Sequence, residues 1–238
     1  MYGWRGRIGY ISPAPVDSVA YEFYRIVPEG IALVTNSLMM QHVTLENIEK
    51  VLAATLGAAQ DLVEAGADLI VSAGGPAVTT KGIGSDKRLI QQIEQHVGRP
   101  ATTTTTAALD ALQRLEAKRL AVATPYIPDF AEKLKTFLED SGFAVGSIST
   151  MDKTSNYQLS LVPPHVIYRH AKRTFLECTD ADAIYIPCAR WAAVHVIQAL
   201  EDDLGVPVVT SQQAWIWAGL RGLKIKKPVH GFGRLFEL

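Results

Sequence analysis

The chain says nearly the same thing twice, and that repetition limits its fold more than any other feature. Gly66-Ala-Asp-Leu-Ile-Val-Ser-Ala-Gly74 resembles Asp180-Ala-Asp-Ala-Ile-Tyr-Ile-Pro-Cys188. Asp68 falls on Asp182 and Gly74 on Cys188 at the same 114-residue step. Each segment then leads through a helical stretch to a second apolar run, Gly98-Arg-Pro-Ala-Thr-Thr in one half and Gly205-Val-Pro-Val-Val-Thr in the other. A repeated β–α–β unit must stack its strands in parallel and cover them with helices. Two such units facing each other place the carboxyl ends of their strands on one cleft, where open α/β sheets bind ligands. Any two βα units look somewhat alike, so a fortuitous likeness is the alternative.

Short apolar runs alternate with longer amphipathic ones along the whole chain. They predict strands at 7–12, 31–35, 69–72, 101–104, 119–124, 144–148, 183–186 and 206–210. Helices are expected near 17–27, 44–65, 86–97, 105–116, 128–141, 163–177, 191–203 and 212–220. Thr44 ahead of Glu46 and Asn47 suits a helix start, where a hydroxyl caps free N–H groups. Pro128 and Pro163 suit first-turn positions, which need no N–H donor. The fold class is therefore α/β: two pseudo-symmetric, Rossmann-like lobes, each a mostly parallel sheet flanked by helices. Residues 1–115 with 213–238 form the expected first lobe and 116–212 the second, with the active site in the cleft between them.

Bulk properties exclude several partners. A formal net charge of -1 gives no electrostatic footprint for nucleic acid or an acidic membrane. No stretch nears the ~20 apolar residues of a membrane span. The first nine residues carry Arg5 and Arg7 without an apolar core, so no signal peptide is expected. Two cysteines are too few for a disulfide scaffold, and a reducing cytoplasm is the expected setting. The six histidines are scattered, and His165 and His170 do not share a helical face, so no metal is expected. Nucleotide-binding glycine fingerprints and the Gly-x-Ser-x-Gly elbow are absent, so no cofactor is expected either. Trp215 and Trp217 either mark a homo-oligomer interface or pack within the last helix.

Chemistry is expected at the strand ends. Cys188 follows an apolar run and precedes the helix expected from Trp191; a thiol at a helix N-terminus would have a lowered pKa and exchange protons near neutrality. A buried packing cysteine is the alternative, and is the reading preferred for Cys178. In the first half, Gly74 and Gly75 let backbone approach a ligand closely, while Pro76 removes one N–H donor. Tyr126 follows another strand and could donate to an oxyanion or simply cap the core. Asn156 lies in a polar loop, where turn formation competes with carboxylate binding. Ser12 and Pro13 end the first strand, and Asn36 and Ser37 the second. Lys81 reads as a solvated charge. Met39, Met40, Val43 and Tyr157 offer apolar pocket lining, although methionine runs often serve as core.

The repeat, these turns and the tail Gly231-Phe-Gly-Arg-Leu-Phe resemble the aspartate/glutamate racemase superfamily. Within it they are most similar to the branch of arylmalonate decarboxylase and maleate cis-trans isomerase, the decarboxylase fitting better. The resemblance covers nearly the whole chain and is strongest at Val43-Thr44, Val122-Ala-Thr-Pro-Tyr-Ile127, Cys188 and Leu204-Gly-Val-Pro-Val-Val-Thr-Ser211. It implies a lyase acting on a malonate-type small carboxylic acid, with Cys188 protonating an enediolate. Gly74, Gly75, Tyr126, Ala189, Asn156, Ser12 and Pro13 would then hold the carboxylate or oxyanion. The racemases and the isomerase carry a second cysteine in the first lobe, where this chain has Gly74-Gly75-Pro76. Gly75 and Pro76 also stand where the decarboxylase has hydroxyl residues, and Ala189 where it has glycine. Losing one oxyanion donor costs ~2.7–4 kcal/mol of transition-state stabilisation. Asn156 agrees with the isomerase, and Tyr126 with both. An isomerase or racemase of maleate, aspartate, glutamate or hydantoin type is the second reading, and an inactive carboxylate-binding homologue the third.

Overall fold

The computed structural model describes residues 2–15 and 17–238. Its first sheet is built from β1 (Gly6–Ser12), β2 (Ile31–Ser37), β3 (Leu69–Ser72) and β4 (Ala101–Thr103), in the order β2-β1-β3-β4 and all parallel. Its second, from β5 (Arg119–Ala123), β6 (Ala144–Ser149), β7 (Ala183–Ile186) and β8 (Val208–Thr210), runs β6-β5-β7-β8. Exchanging β1 for β5, β2 for β6, and so on, turns one order into the other. This is the two-lobed α/β architecture that the repeat predicted.

One pair of repeated residues shows why the halves look alike. The Asp68 carboxylate accepts from the Arg7 N–H at 2.9 Å, fixing β1 beside β3. Asp182 does the same in the second lobe, accepting from Lys118 and Arg119 N–H groups at 2.9 and 3.0 Å. A carboxylate bonded to backbone donors at a strand start satisfies groups the ladder leaves open.

The helices are α1 (Asp17–Ile26), α2 (Leu45–Glu64), α3 (Gly75–Thr79), α4 (Ser85–Val97), α5 (Thr104–Arg114), α6 (Pro128–Asp140), α7 (Asn156–Ser160), α8 (Pro164–Leu176), α9 (Ile197–Leu204) and α10 (Ser211–Gly222). Thr44, Thr103 and Thr210 cap α2, α5 and α10 by accepting from the third helical N–H. The threonine run therefore leaves its strand one residue earlier than expected, because Thr103 is the cap. The short helices α3 and α7 were not predicted, since five residues carry no readable period.

The helix expected over 191–203 begins only at Ile197, after a 3-10 turn at Val194–Val196. Ahead of it the chain turns at residues 188–191, and Trp191 is drawn fully into the core with its ring edge-on to His170.

One apolar core runs under both sheets. The second lobe hands α10 back to the first, where it lies almost flat on the sheet. A Cβ at Gly219 would come within 2.7 Å of the tip of the Ile8 side chain, and one at Gly222 within 2.4 Å of that of Leu69, so a side chain at either position would have to push a buried neighbour aside. Trp215 is wholly buried, stacked on Phe23 at 5.6 Å and tilted against Tyr10 at 4.7 Å; it is core, and only Trp217 is partly exposed. Among the described residues no helix is long and apolar enough to cross a membrane.

Candidate active site

The strand ends meet around a cavity of about 60 Å³. Ser12 and Pro13 come from the end of β1, Gly74 and Gly75 from the β3 turn, Tyr126 from beyond β5, and Cys188 and Ala189 from beyond β7. Met40, Val43 and Asn156 complete the wall, so ten of the residues anticipated from sequence lie together.

Tyr157 does not belong with them. It is 67% exposed and borders a separate, shallower pocket. The reason is helical geometry: in α7, Asn156 and Leu159 share the inward face, and Tyr157, about 100° around the axis, points away. Met39 is likewise exposed, whereas Asn36 bonds to Asp61 and Lys81 pairs with Glu49, all outside the cavity. Cys178 is also remote, its thiol donating to Asp180 at 2.8 Å.

Two loops cross the mouth. One follows β2 and the other follows β6, equivalent positions in the two lobes, and they pair with each other. Val43 N–H donates to the Thr154 carbonyl at 3.0 Å and Asn156 N–H to Gln41 at 3.0 Å. The Asn156 side chain adds a bond to the Met40 carbonyl at 2.7 Å, which stops it from swinging freely. An apolar cluster including Met40, Val43, Ala77, Phe130 and Leu159 backs this side of the cavity. Hydroxyl groups of Ser12, Thr104, Thr105, Tyr126 and Ser211 line other parts of it.

The backbone at Cys188 is unusual. Its φ is +98°, a region that an L-residue with a Cβ occupies only under strain. Gly74, its counterpart in the repeat, has φ +115°. Both lobes thus make the same turn; glycine makes it freely in the first, and cysteine makes it against resistance in the second. Ser211 steadies the strained turn by accepting from the Cys188 N–H at 3.1 Å.

Burial raises the Cys188 thiol above its ordinary pKa, opposed by backbone donors at Arg190, the Tyr126 phenol, a backbone donor at Trp191 and the Arg190 charge. This reverses the lowered value expected from sequence. The first α-helix downstream starts at Ile197, too far away to lend its dipole, and desolvation prevails. Tyr10 and Tyr126 are pushed upward as well, and Tyr185 to about 12, burial being the main cause each time. The pocket therefore holds a neutral thiol among neutral phenols. Among its described lining residues, only Arg190 carries a formal charge.

Sequence reasoning missed Tyr10, Thr104, Thr105, Tyr185, Arg190 and Ser211. The repeat held a signal for two of them: Thr104 and Ser211 each follow the capping threonine that ends the fourth strand of their lobe.

Comparison with known proteins agrees with this geometry. Residues 8–236 match the family model described as arylmalonate decarboxylase. The chain belongs to the arylmalonate decarboxylase family. A relative of that name from Bordetella bronchiseptica is 28% identical over 97% of this chain and 96% of its own. A maleate isomerase from Nocardia farcinica is 24% identical over 97% of this chain and 95% of its own. Among solved structures, a liganded arylmalonate decarboxylase variant, with one glycine changed to cysteine and one cysteine to serine, superposes with a TM-score of 0.91. It is 26% identical and covers 98% of this chain and 99% of that one. The relatives are thus named as enzymes of two kinds, decarboxylase and isomerase, and match this chain along nearly its full length.

Proposed function

We propose that this enzyme is a cofactor-independent lyase that removes CO2 from a malonate-type acid and that Cys188 supplies the replacement proton. The observation that carries this reading is the strained, buried turn at Cys188. Backbone strain persists where the surroundings over-determine it, and it clusters at functional sites. A thiol kept neutral by burial has a proton to give, which is what a general acid needs.

In the proposed reaction the leaving carboxylate rests against the apolar wall of Met40, Val43 and Leu159, where loss of hydration favours departure as CO2. The C–C bond electrons pass into the remaining carboxylate, forming an enediolate. Backbone N–H groups of Gly75 and Ala189 and the Tyr126 phenol serve as donors to its oxygens. Cys188 then transfers its S–H proton to carbon, and the resulting thiolate recovers a proton from water. The test is CO2 release from a panel of substituted malonates by wild type and Cys188→Ala. Loss of at least ~100-fold is expected, in keeping with removal of a general acid; equal rates would refute the assignment.

A maleate-type isomerase is the second reading, favoured by Asn156 in the wall of the cavity. The absence of a thiol at Gly74, Gly75 and Pro76 weighs against two-sided proton exchange. Solvent deuterium incorporation at the substrate α-carbon without CO2 release would favour it.

A further inference from the structure

The first-lobe turn is short of donors where an enediolate oxygen needs them. Gly75 brings no side chain, Pro76 has no N–H, and the Ala77 N–H is committed to the Gly74 carbonyl at 2.9 Å. Gly75 also leaves room. A Cβ there would lie 3.9 Å from the Thr105 hydroxyl and 3.9 Å from the Tyr126 phenol, in ordinary contact with both. A ligand oxygen entering this space in place of a side chain is flanked by two hydroxyl groups.

Thr105 is the second residue of α5, directly behind the cap that Thr103 makes on the Thr106 N–H at 2.9 Å. It lines the cavity at 4% exposure, and no described residue bonds to its hydroxyl. Other hydroxyls of the wall are already engaged: Ser12 donates to the Ala14 carbonyl, and Ser211 accepts from the Cys188 N–H. Gln212 holds the equivalent place at the start of α10, yet it bonds to Val19 and Trp215 and stays out of the cavity. From this helix position the first lobe alone sends a hydroxyl to the site, on the side where the turn lacks donors. A hydroxyl withdrawn from bulk water and left unbonded is ready to serve a ligand oxygen.

We propose that Thr105 is a catalytic residue, its hydroxyl donating to the enediolate oxygen that lies against Gly75. This rests on the reading above that an enediolate forms in this cavity. Negative charge on that oxygen grows as CO2 departs, so the bond strengthens toward the transition state and acts on kcat more than on KM. Thr105 transfers no proton; Cys188 remains the donor to carbon.

The test compares wild type, Thr105→Val and Thr105→Ser in two assays. One is CO2 release from methylmalonate. The other is calorimetric titration at alkaline pH with the nitronate of nitroethane, which has the shape and charge pattern of the propionate enediolate, and with propionate itself. Thermal unfolding first confirms that each variant is folded, and Thr105→Ala replaces the valine variant if that one is not. Thr105→Val should lower kcat about a hundredfold with KM little changed, as loss of one oxyanion donor does. It should also weaken nitronate binding far more than propionate binding, and Thr105→Ser should restore most of both. Wild-type kcat and nitronate affinity in Thr105→Val, or a serine variant as impaired as the valine one, would overturn the proposal. Nitronate binding that depends on the Thr105 hydroxyl, without CO2 release by wild type, would defeat the lyase reading alone. CO2 release that ignores Thr105→Val would defeat this one alone, and neither turnover nor nitronate binding by wild type would defeat both.

Discussion

Replacing Glu22 by glutamine should stabilise the protein progressively as pH rises. Glu22 lies in α1 and is 1% exposed. One carboxyl oxygen accepts from Val194 N–H at 3.3 Å; the other is buried with no hydrogen-bond partner. Desolvation pushes its pKa from 4.5 to about 8, with the Val194 donor and the Arg25 charge offsetting part of the effect. Below pH 4.5 both folded and unfolded chains hold the proton and nothing is lost. Between there and pH 8 the unfolded chain releases it while the folded chain keeps it, so stability falls by ~1.4 kcal/mol per pH unit. The loss reaches about 3 kcal/mol at pH 7 and levels off near 5 kcal/mol above pH 8. Glutamine keeps the shape and cannot ionise. Urea unfolding at about pH 5, 7 and 9 should show Glu22→Gln gaining ~3–4 kcal/mol on wild type across that range. A constant difference between the two proteins at all three values would refute the reasoning.

Three other outcomes follow from the site and the repeat. Because burial raises the Cys188 pKa, turnover should stay level through neutrality and decline as pH rises past the thiol's elevated value. Alkylation by iodoacetamide, followed by mass spectrometry against Cys188→Ala, should be slower than for a free thiol at pH 8; rapid labelling at pH 7 would contradict the neutral thiol. Asp182 serves two backbone donors and Asp68 one, so Asp182→Ala should cost about 2 kcal/mol and Asp68→Ala about 1. Equal urea midpoints for the two variants would show that the count of donors does not set the cost.

What the sequence made legible was whatever repeats or ends a strand. The alternation of apolar runs with amphipathic stretches located all eight strands, and the Asp68/Asp182 match set their pairing into two equivalent sheets. Cys188, Gly74, Gly75 and Tyr126 were readable because a strand end is where a parallel sheet exposes its ligand site. Arg190 was not, because the apolar residues after it have helical spacing and only the packing of Trp191 shows that the chain turns there instead. Tyr157 was misplaced because a five-residue helix sets its side chain outward, and nothing local announces so short an element. The direction of the Cys188 shift lay beyond local reading as well, since it depends on how much water three-dimensional packing excludes.

The unequal turns at Gly74 and Cys188 have a stereochemical consequence. Gly74 and Cys188 hold equivalent places in the repeat, and a thiol stands at only one of them. Among the described lining residues Cys188 carries the one thiol. If hydrogen arrives only from the second lobe, a prochiral intermediate fixed in the cleft must yield one enantiomer, and the handedness of the product then follows from which lobe holds the thiol.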